Sequence, residues 1–115
     1  MISGIIEKWG IRKEHLTRLY RNREKVAVIE PMKEAIDEFL TFLCLINNKQ
    51  FSSSEDILDS LPGFDYKPIN AEERVSFILI KPYQYHSFVQ LNELYLELLK
   101  LHAKMKIKNI KNNAQ

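Results

Sequence analysis

A proline followed by a long ladder of leucines decides most of what this chain can become. Pro82 removes the backbone donor that a helix arriving from upstream would need in order to continue. Beyond it Leu91, Leu94, Leu98, Leu101 and Met105 recur in alternating steps of three and four, the period of one helix face, and Phe88, Tyr95 and Leu99 widen the stripe. Pro82 is acceptable in a first helical turn, so the pattern predicts a helix from Tyr83 to about Ile110, roughly 40 Å long at 1.5 Å per residue. That is longer than the shorter helices upstream can cover, and one end of the stripe is expected to project or to meet a partner. Just before the break, Pro68 holds Lys67 extended, and Asn70 with Glu73 three residues later has the pattern of a capping box. A helix is therefore predicted from Ala71, burying Val75, Ile78 and Leu79 and ending at Pro82.

The first half reads as four shorter helices. Ile5, Ile6 and Trp9 share a face in an opening helix that Ser3 would cap and Gly10 would stop. Arg12 to Arg23 follows, with Ile11, His15, Leu16, Leu19 and Tyr20 on its stripe and basic residues on most of the rest, and Val26 to Ile29 is a connector. Pro31 then sits at the first position of a core helix carrying Met32, Ile36, Phe39, Leu40 and Leu43 as far as Asn47. Ser52, Ser53 and Ser54 supply caps for a short helix with Ile57, Leu58 and Leu61 inward, which Pro62 and Gly63 end.

With three glycines and no Asn-Gly or Asp-Gly between alternating apolar residues, there is little hairpin signal. The expectation is an all-α fold, a compact single-domain bundle of about five helices over residues 1–110, followed by a frayed polar tail at 111–115. A single cysteine excludes an internal disulfide and, in the apolar run around Cys44, fits a buried thiol in a reducing cytoplasm. No apolar stretch approaches the 18 or so residues that span a bilayer.

The net charge of +2 conceals an uneven distribution. Residues 1–29 carry seven basic and three acidic side chains, residues 30–73 three and ten, and residues 74–115 seven and two. In a bundle the acidic middle is expected to compensate the basic ends, and the alternative is one basic face.

From Lys67-Pro68-Ile69-Asn70 through Glu73-Arg74-Val75-Ser76-Phe77-Ile78-Leu79 to Pro82-Tyr83-Gln84-Tyr85-His86-Ser87-Phe88-Val89-Gln90-Leu91, the chain resembles the YpoC family of small Bacillota proteins. The resemblance is best over Lys67 to Lys100, and the amino-terminal third contributes little to it. It implies a fold neighbourhood and brings no chemistry with it.

No catalytic residue, metal ligand or cofactor is assigned from the residues themselves. His15, His86 and His102 are far apart and lack ligand spacing with Cys44 or the acids. The adjacent pairs Asp37-Glu38 and Glu72-Glu73 point apart around their helices. Arg74, Tyr83, Tyr85 and His86 form the one suggestive polar group, with packing and structural hydrogen bonds as the plainer account. The expected role is a non-enzymatic protein-interaction module in which Leu101, Met105 and Ile107 meet another protein or a second copy of the chain. The alternative is an accessory nucleic-acid binder using Arg12, Lys13 and Arg18 with Lys104, Lys106 and Lys108.

Overall fold

The computed structural model describes residues 1–113, with side chains described through Asn109. The described residues form five α-helices and one 3-10 turn: α1 (Ile2–Arg21), α2 (Ile29–Ile46), α3 (Ser54–Ser60), the turn Leu61–Gly63, α4 (Ala71–Ile80) and α5 (Tyr85–Asn113). No strand occurs among them. Helix α5 continues through Asn113, into the 111–115 stretch expected to fray, and the last two residues of that stretch lie outside the described residues.

Helix α2 is the centre. Met32, Ala35, Ile36, Phe39, Leu40, Phe42, Leu43, Cys44 and Ile46 are all buried, so apolar side chains cover well over half its circumference, as expected of a helix packed on several sides. Helix α1 lies against it on one flank, α5 on another and α3 on a third, while α4 packs on α5 and α3. Trp9 of α1 stacks on Tyr95 of α5 with ring centroids 4.3 Å apart and planes 7° from parallel, Phe39 meets Tyr95 edge-on, and the Tyr95 hydroxyl donates to the Ala35 carbonyl at 2.8 Å. One aromatic side chain thus ties three helices together.

The opening of the chain differs from the expected pair of helices. A single helix runs from Ile2 through Gly10 to Arg21, without a cap from Ser3. A glycine inside a helix costs about 1 kcal/mol, and burial of Ile5, Trp9 and Leu16 on one stripe across Gly10 outweighs it. The stripe is also phased differently. Ile11 and His15 are exposed, while Arg12 takes the inward edge and bridges to Glu34 at 2.6 Å and Glu38 at 2.5 Å on α2. Burial works against the Arg12 charge, and hydrogen bonds and attraction from both carboxylates outweigh it, raising its pKa. This is the basic-to-acidic compensation anticipated from the charge distribution.

Two caps show why local pattern and local geometry can part. Ser53 has an extended backbone (φ −154°, ψ 160°) and accepts from the Asp56 amide, as an N-cap should. Asn70 is left-handed (φ 56°, ψ 35°) and makes no side-chain cap bond, so the capping box is not formed, although α4 starts at Ala71 as expected. Lys67 secures that corner instead, its ammonium donating to the Leu61 and Pro62 carbonyls and pairing with Glu72 at 2.9 Å, which lowers the Glu72 pKa. Downstream, Pro82 and Tyr83 form a turn and α5 begins only at Tyr85. The turn carbonyls are satisfied by side chains: Ser87 Oγ donates to Lys81 O at 2.6 Å and Tyr20 to Pro82 O at 2.5 Å.

Candidate functional site

Helix α5 runs antiparallel to α1, and this register decides which residues it leaves bare. Tyr20 near the end of α1 meets Tyr85 and Phe88, Trp9 meets Phe88 and Tyr95, and Ile2 and Ile6 lie level with His102 and Lys106. Helix α1 begins at Ile2 and α2 ends at Ile46, so both covers stop about one turn past His102 while α5 goes on. Leu101 and Met105 are therefore only partly buried, whereas Ile107, expected to share their face, lies about 200° round the helix from Met105 and is 56% exposed on the opposite side. Beside them, on the His102 side of the helix, Met1, Ile2, Ile6 and Leu45 line an open hollow of about 520 Å³ shared with Ser3 and Lys106. The result is an apolar seam whose near wall is core and whose far wall is solvent. Lys104, Lys106 and Lys108 rim it, all exposed. His102 meets Phe42 edge-on at 5.6 Å, and burial, reinforced by Lys106, pushes its pKa down.

The suggestive polar group separates into two places. Arg74, with its side chain 17% exposed, donates from Nε to Gln90 at 2.9 Å, from Nη1 to the Ile69 carbonyl at 3.0 Å, and through both terminal nitrogens to Glu97 at 3.1 and 2.6 Å, with Glu93 at 3.8 Å. This bidentate clamp fastens α4 to α5 and occupies the guanidinium. His86 stands edge-on to Phe77 at 5.4 Å with its Nε2 3.4 Å from the Gln90 amide nitrogen. Tyr83 and Tyr85 turn the other way, toward Tyr20 and the link between α1 and α2, where they share a hollow of about 310 Å³ with Arg23, Glu24, Lys25 and Gln84. The four residues read from the sequence as one cluster therefore do not form one.

The basic residues also fall into separate patches. Arg12 is neutralised by two carboxylates. Lys13 and Arg18 are exposed on α1, and with Arg21, Arg23 and Lys25 they run toward the end of the bundle where α5 starts, whereas Lys104 lies about 28 Å further along α5. Burial raises the Cys44 thiol pKa, and no group of three or more His, Cys, Asp or Glu side chains able to hold a metal ion occurs among the described residues. No described helix is long and apolar enough to cross a membrane.

The sequence reading missed two features. One is the α1 wall of the seam, legible in hindsight because Met1, Ile2 and Ile6 extend the Ile5–Trp9–Leu16 stripe once Gly10 is read as helical. The other is an apolar groove of about 420 Å³ between α2, α3 and α4, lined by Ile29, Met32, Ile36, Leu58, Leu79 and Ile80 with Lys33 and Glu55 among its polar residues. Its one sequence signal is Ile80, an apolar residue ending α4 that is 71% exposed.

Comparison with known proteins bears on the whole chain. The profile of the family described as YpoC-like protein matches residues 1–110, so the likeness extends well beyond Lys67 to Lys100 and through the amino-terminal third. The protein named "Uncharacterized protein YpoC" of Bacillus subtilis (strain 168) is 33% identical over 102 residues, covering 84% of this chain, which spans 58% of that protein. No solved structure matches the chain. On the family match over 110 consecutive positions and this relative, the chain belongs to the YpoC-like family.

Proposed function

We propose that the protein is a non-enzymatic interaction module of the cytoplasm whose docking element is the carboxyl-terminal end of α5. The observation that carries this reading is the seam of Leu101 and Met105, where an apolar stripe continues past the end of its cover and is ringed by lysines, with Ile107 exposed on the other side of the same helix end, where a groove taking that end would also meet it. A core helix gains nothing by extending its stripe into water, and an apolar strip with a charged rim has the composition of a recognition surface.

Charge selects the partner. Pairing the seam with the same seam of a second copy would bring Lys104, Lys106 and Lys108 against their counterparts, and like charges across an interface are costly. The occupant that fits is a different protein presenting an apolar groove with acidic residues on its rim, into which the end of α5 lies as a helix. A nucleic-acid role built on Arg12, Lys13 and Arg18 together with the lysines of α5 has less support, since Arg12 is neutralised and the two sets lie far apart along the bundle.

Site-specific photo-crosslinking in the native cell tests the reading, with a crosslinker at Ile107 and a control at Ile11, which is exposed on α1. A protein adduct formed from 107 but not from 11, and lost when Lys104, Lys106 and Lys108 are changed to Glu, is the expected result. Met105→Asp with Ile107→Asp should remove the adduct while moving the denaturation midpoint little. A strictly monomeric protein with no adduct specific to position 107 would remove the support for this function.

A further inference from the structure

At the opposite end of the bundle from the seam, the link between α1 and α2 and the start of α5 enclose the hollow of about 310 Å³ lined by Tyr20, Arg23, Lys25, Tyr83, Gln84 and Tyr85. We propose that this hollow binds a nucleotide, with the base stacked on Tyr83 or Tyr85 and the phosphate held by Arg23 and Lys25. The proposal stands apart from the docking role of the seam.

Three observations converge on that chemistry. The first is the rings. Tyr20 is fixed from behind by its bond to Pro82 and by Phe88, whose ring lies 5.2 Å away and 21° from parallel, so it forms a rigid floor. Tyr83 and Tyr85, by contrast, are 42% and 62% exposed. Tyr85 stands edge-on to Tyr20, leaving aromatic surface open to a planar ligand. Gln84 between them carries both an amide donor and an acceptor, the pair that a base edge requires.

The second is the charge. Elsewhere in the protein the partly buried cations Arg12, Lys67 and Arg74 are each engaged by carboxylates. In the lining of this hollow Arg23 and Lys25 are exposed, and no ion pair engages them among the described residues. Glu24 is the one acidic residue of the lining. The positive end of the α5 dipole, at Tyr85, lies at the same place and adds to the field.

The third is the backbone. Helix α1 ends with the Glu24 amide donating to Leu19 O at 3.1 Å and the Arg23 amide to Tyr20 O at 3.0 Å, which puts Arg23 in the left-handed region at φ 57°. Glycine or asparagine is the favoured occupant of such a position, and asparagine stands at the other two positive-φ sites, Asn48 and Asn70. Arginine here works against backbone preference, at a position that lines the hollow.

Arg23 therefore provides a test in which folding and binding move in opposite directions. The probes are AMP, a twelve-residue thymidine oligonucleotide and inorganic pyrophosphate, titrated calorimetrically at low and moderate salt. Saturable binding of AMP or of the oligonucleotide is expected, weakening as salt rises. Tyr85→Ala should lower affinity about tenfold through the lost stacking surface. Arg23→Gly should lower it by a similar factor while melting at the same or a higher temperature, because glycine suits the left-handed site. Comparable binding of AMP and oligonucleotide would identify a free nucleotide as the ligand, and binding of the oligonucleotide alone a single-stranded nucleic acid. The proposal is overturned if neither nucleotide probe binds, if pyrophosphate binds as tightly as AMP with Tyr83→Ala and Tyr85→Ala without effect, or if only Lys104, Lys106 and Lys108 changed together to Ala reduce binding.

Discussion

The two halves of α5 carry the same pattern and meet opposite fates. From Phe88 to Leu98 each stripe position is buried: Phe88, Leu91, Leu94, Tyr95 and Leu98 all contribute to the core, with Tyr95 as the point where α1, α2 and α5 converge. From Leu101 onward the stripe continues at the same period through Met105, yet Leu101 and Met105 are only half-covered. Periodicity states which face of a helix is apolar, and the lengths of its neighbours state whether that face is covered. Here α5 has 29 residues against 20 in α1 and 18 in α2, and the difference appears as the seam.

The largest expected effect lies in the covered half. Leu94→Ala and Leu98→Ala should each destabilise the protein by about 2–5 kcal/mol, since both are fully buried and truncation leaves a cavity. Chemical denaturation measures this, and unchanged midpoints would put the long helix outside the core. Next comes the clamp that anchors the same half to α4. Arg74→Ala should cost roughly 1–2 kcal/mol, a charge-assisted bidentate contact reduced by the partial exposure of Glu97. A loss no larger than that of an exposed lysine such as Lys100 would make the clamp ornamental.

Smaller effects separate pattern from geometry at the other junctions. Asn70→Ala should cost about 1 kcal/mol, because alanine sits poorly at a left-handed position, and Asn70→Gly should leave the melting temperature unchanged or raise it. A fall with both substitutions would show that the side chain caps α4 after all. The smallest effect belongs to the uncovered half. The pKa of His102 lies below its ordinary value of 6.5, because burial and Lys106 disfavour the charged ring, so its contribution is full above 6.5 and is lost as pH falls from there through the lower folded-state value. Thermal melts at pH 7.5 and 5.5 should show a slight loss at the lower pH that His102→Asn reduces, and an identical pH dependence in that variant would assign the effect elsewhere.

Much of this was legible from residue spacing, and the failures have definite causes. The later four helices, the α4 start at Ala71, the Ser53 cap and the breaks at Pro62 and Pro82 follow from local rules that the tertiary structure leaves undisturbed. Gly10 misled because a propensity of about 1 kcal/mol is small beside the burial of a tryptophan. Asn70 misled because a capping box is a statement about composition, whereas the bond depends on φ and ψ, and Asn70 is left-handed. The Arg74–His86–Tyr83–Tyr85 grouping misled because closeness in sequence across a turn does not place side chains on the same side of it. The partial exposure of Leu101 and Met105 was legible for a simple reason: helix lengths can be compared before anything is known of packing, whereas Ile107 is exposed because it falls on the other face of the helix.

The central claim, that the end of α5 is an apolar surface without cover in the isolated chain, is tested most directly by amide hydrogen exchange along that helix. The measurement belongs at concentrations where light scattering gives the monomer mass. The account predicts protection close to that of global unfolding from Leu91 to Leu98, and a fall of orders of magnitude between Leu101 and Ile107. Uniform protection through Ile107 would mean that the seam is covered within the monomer, and the docking role would lose its foundation.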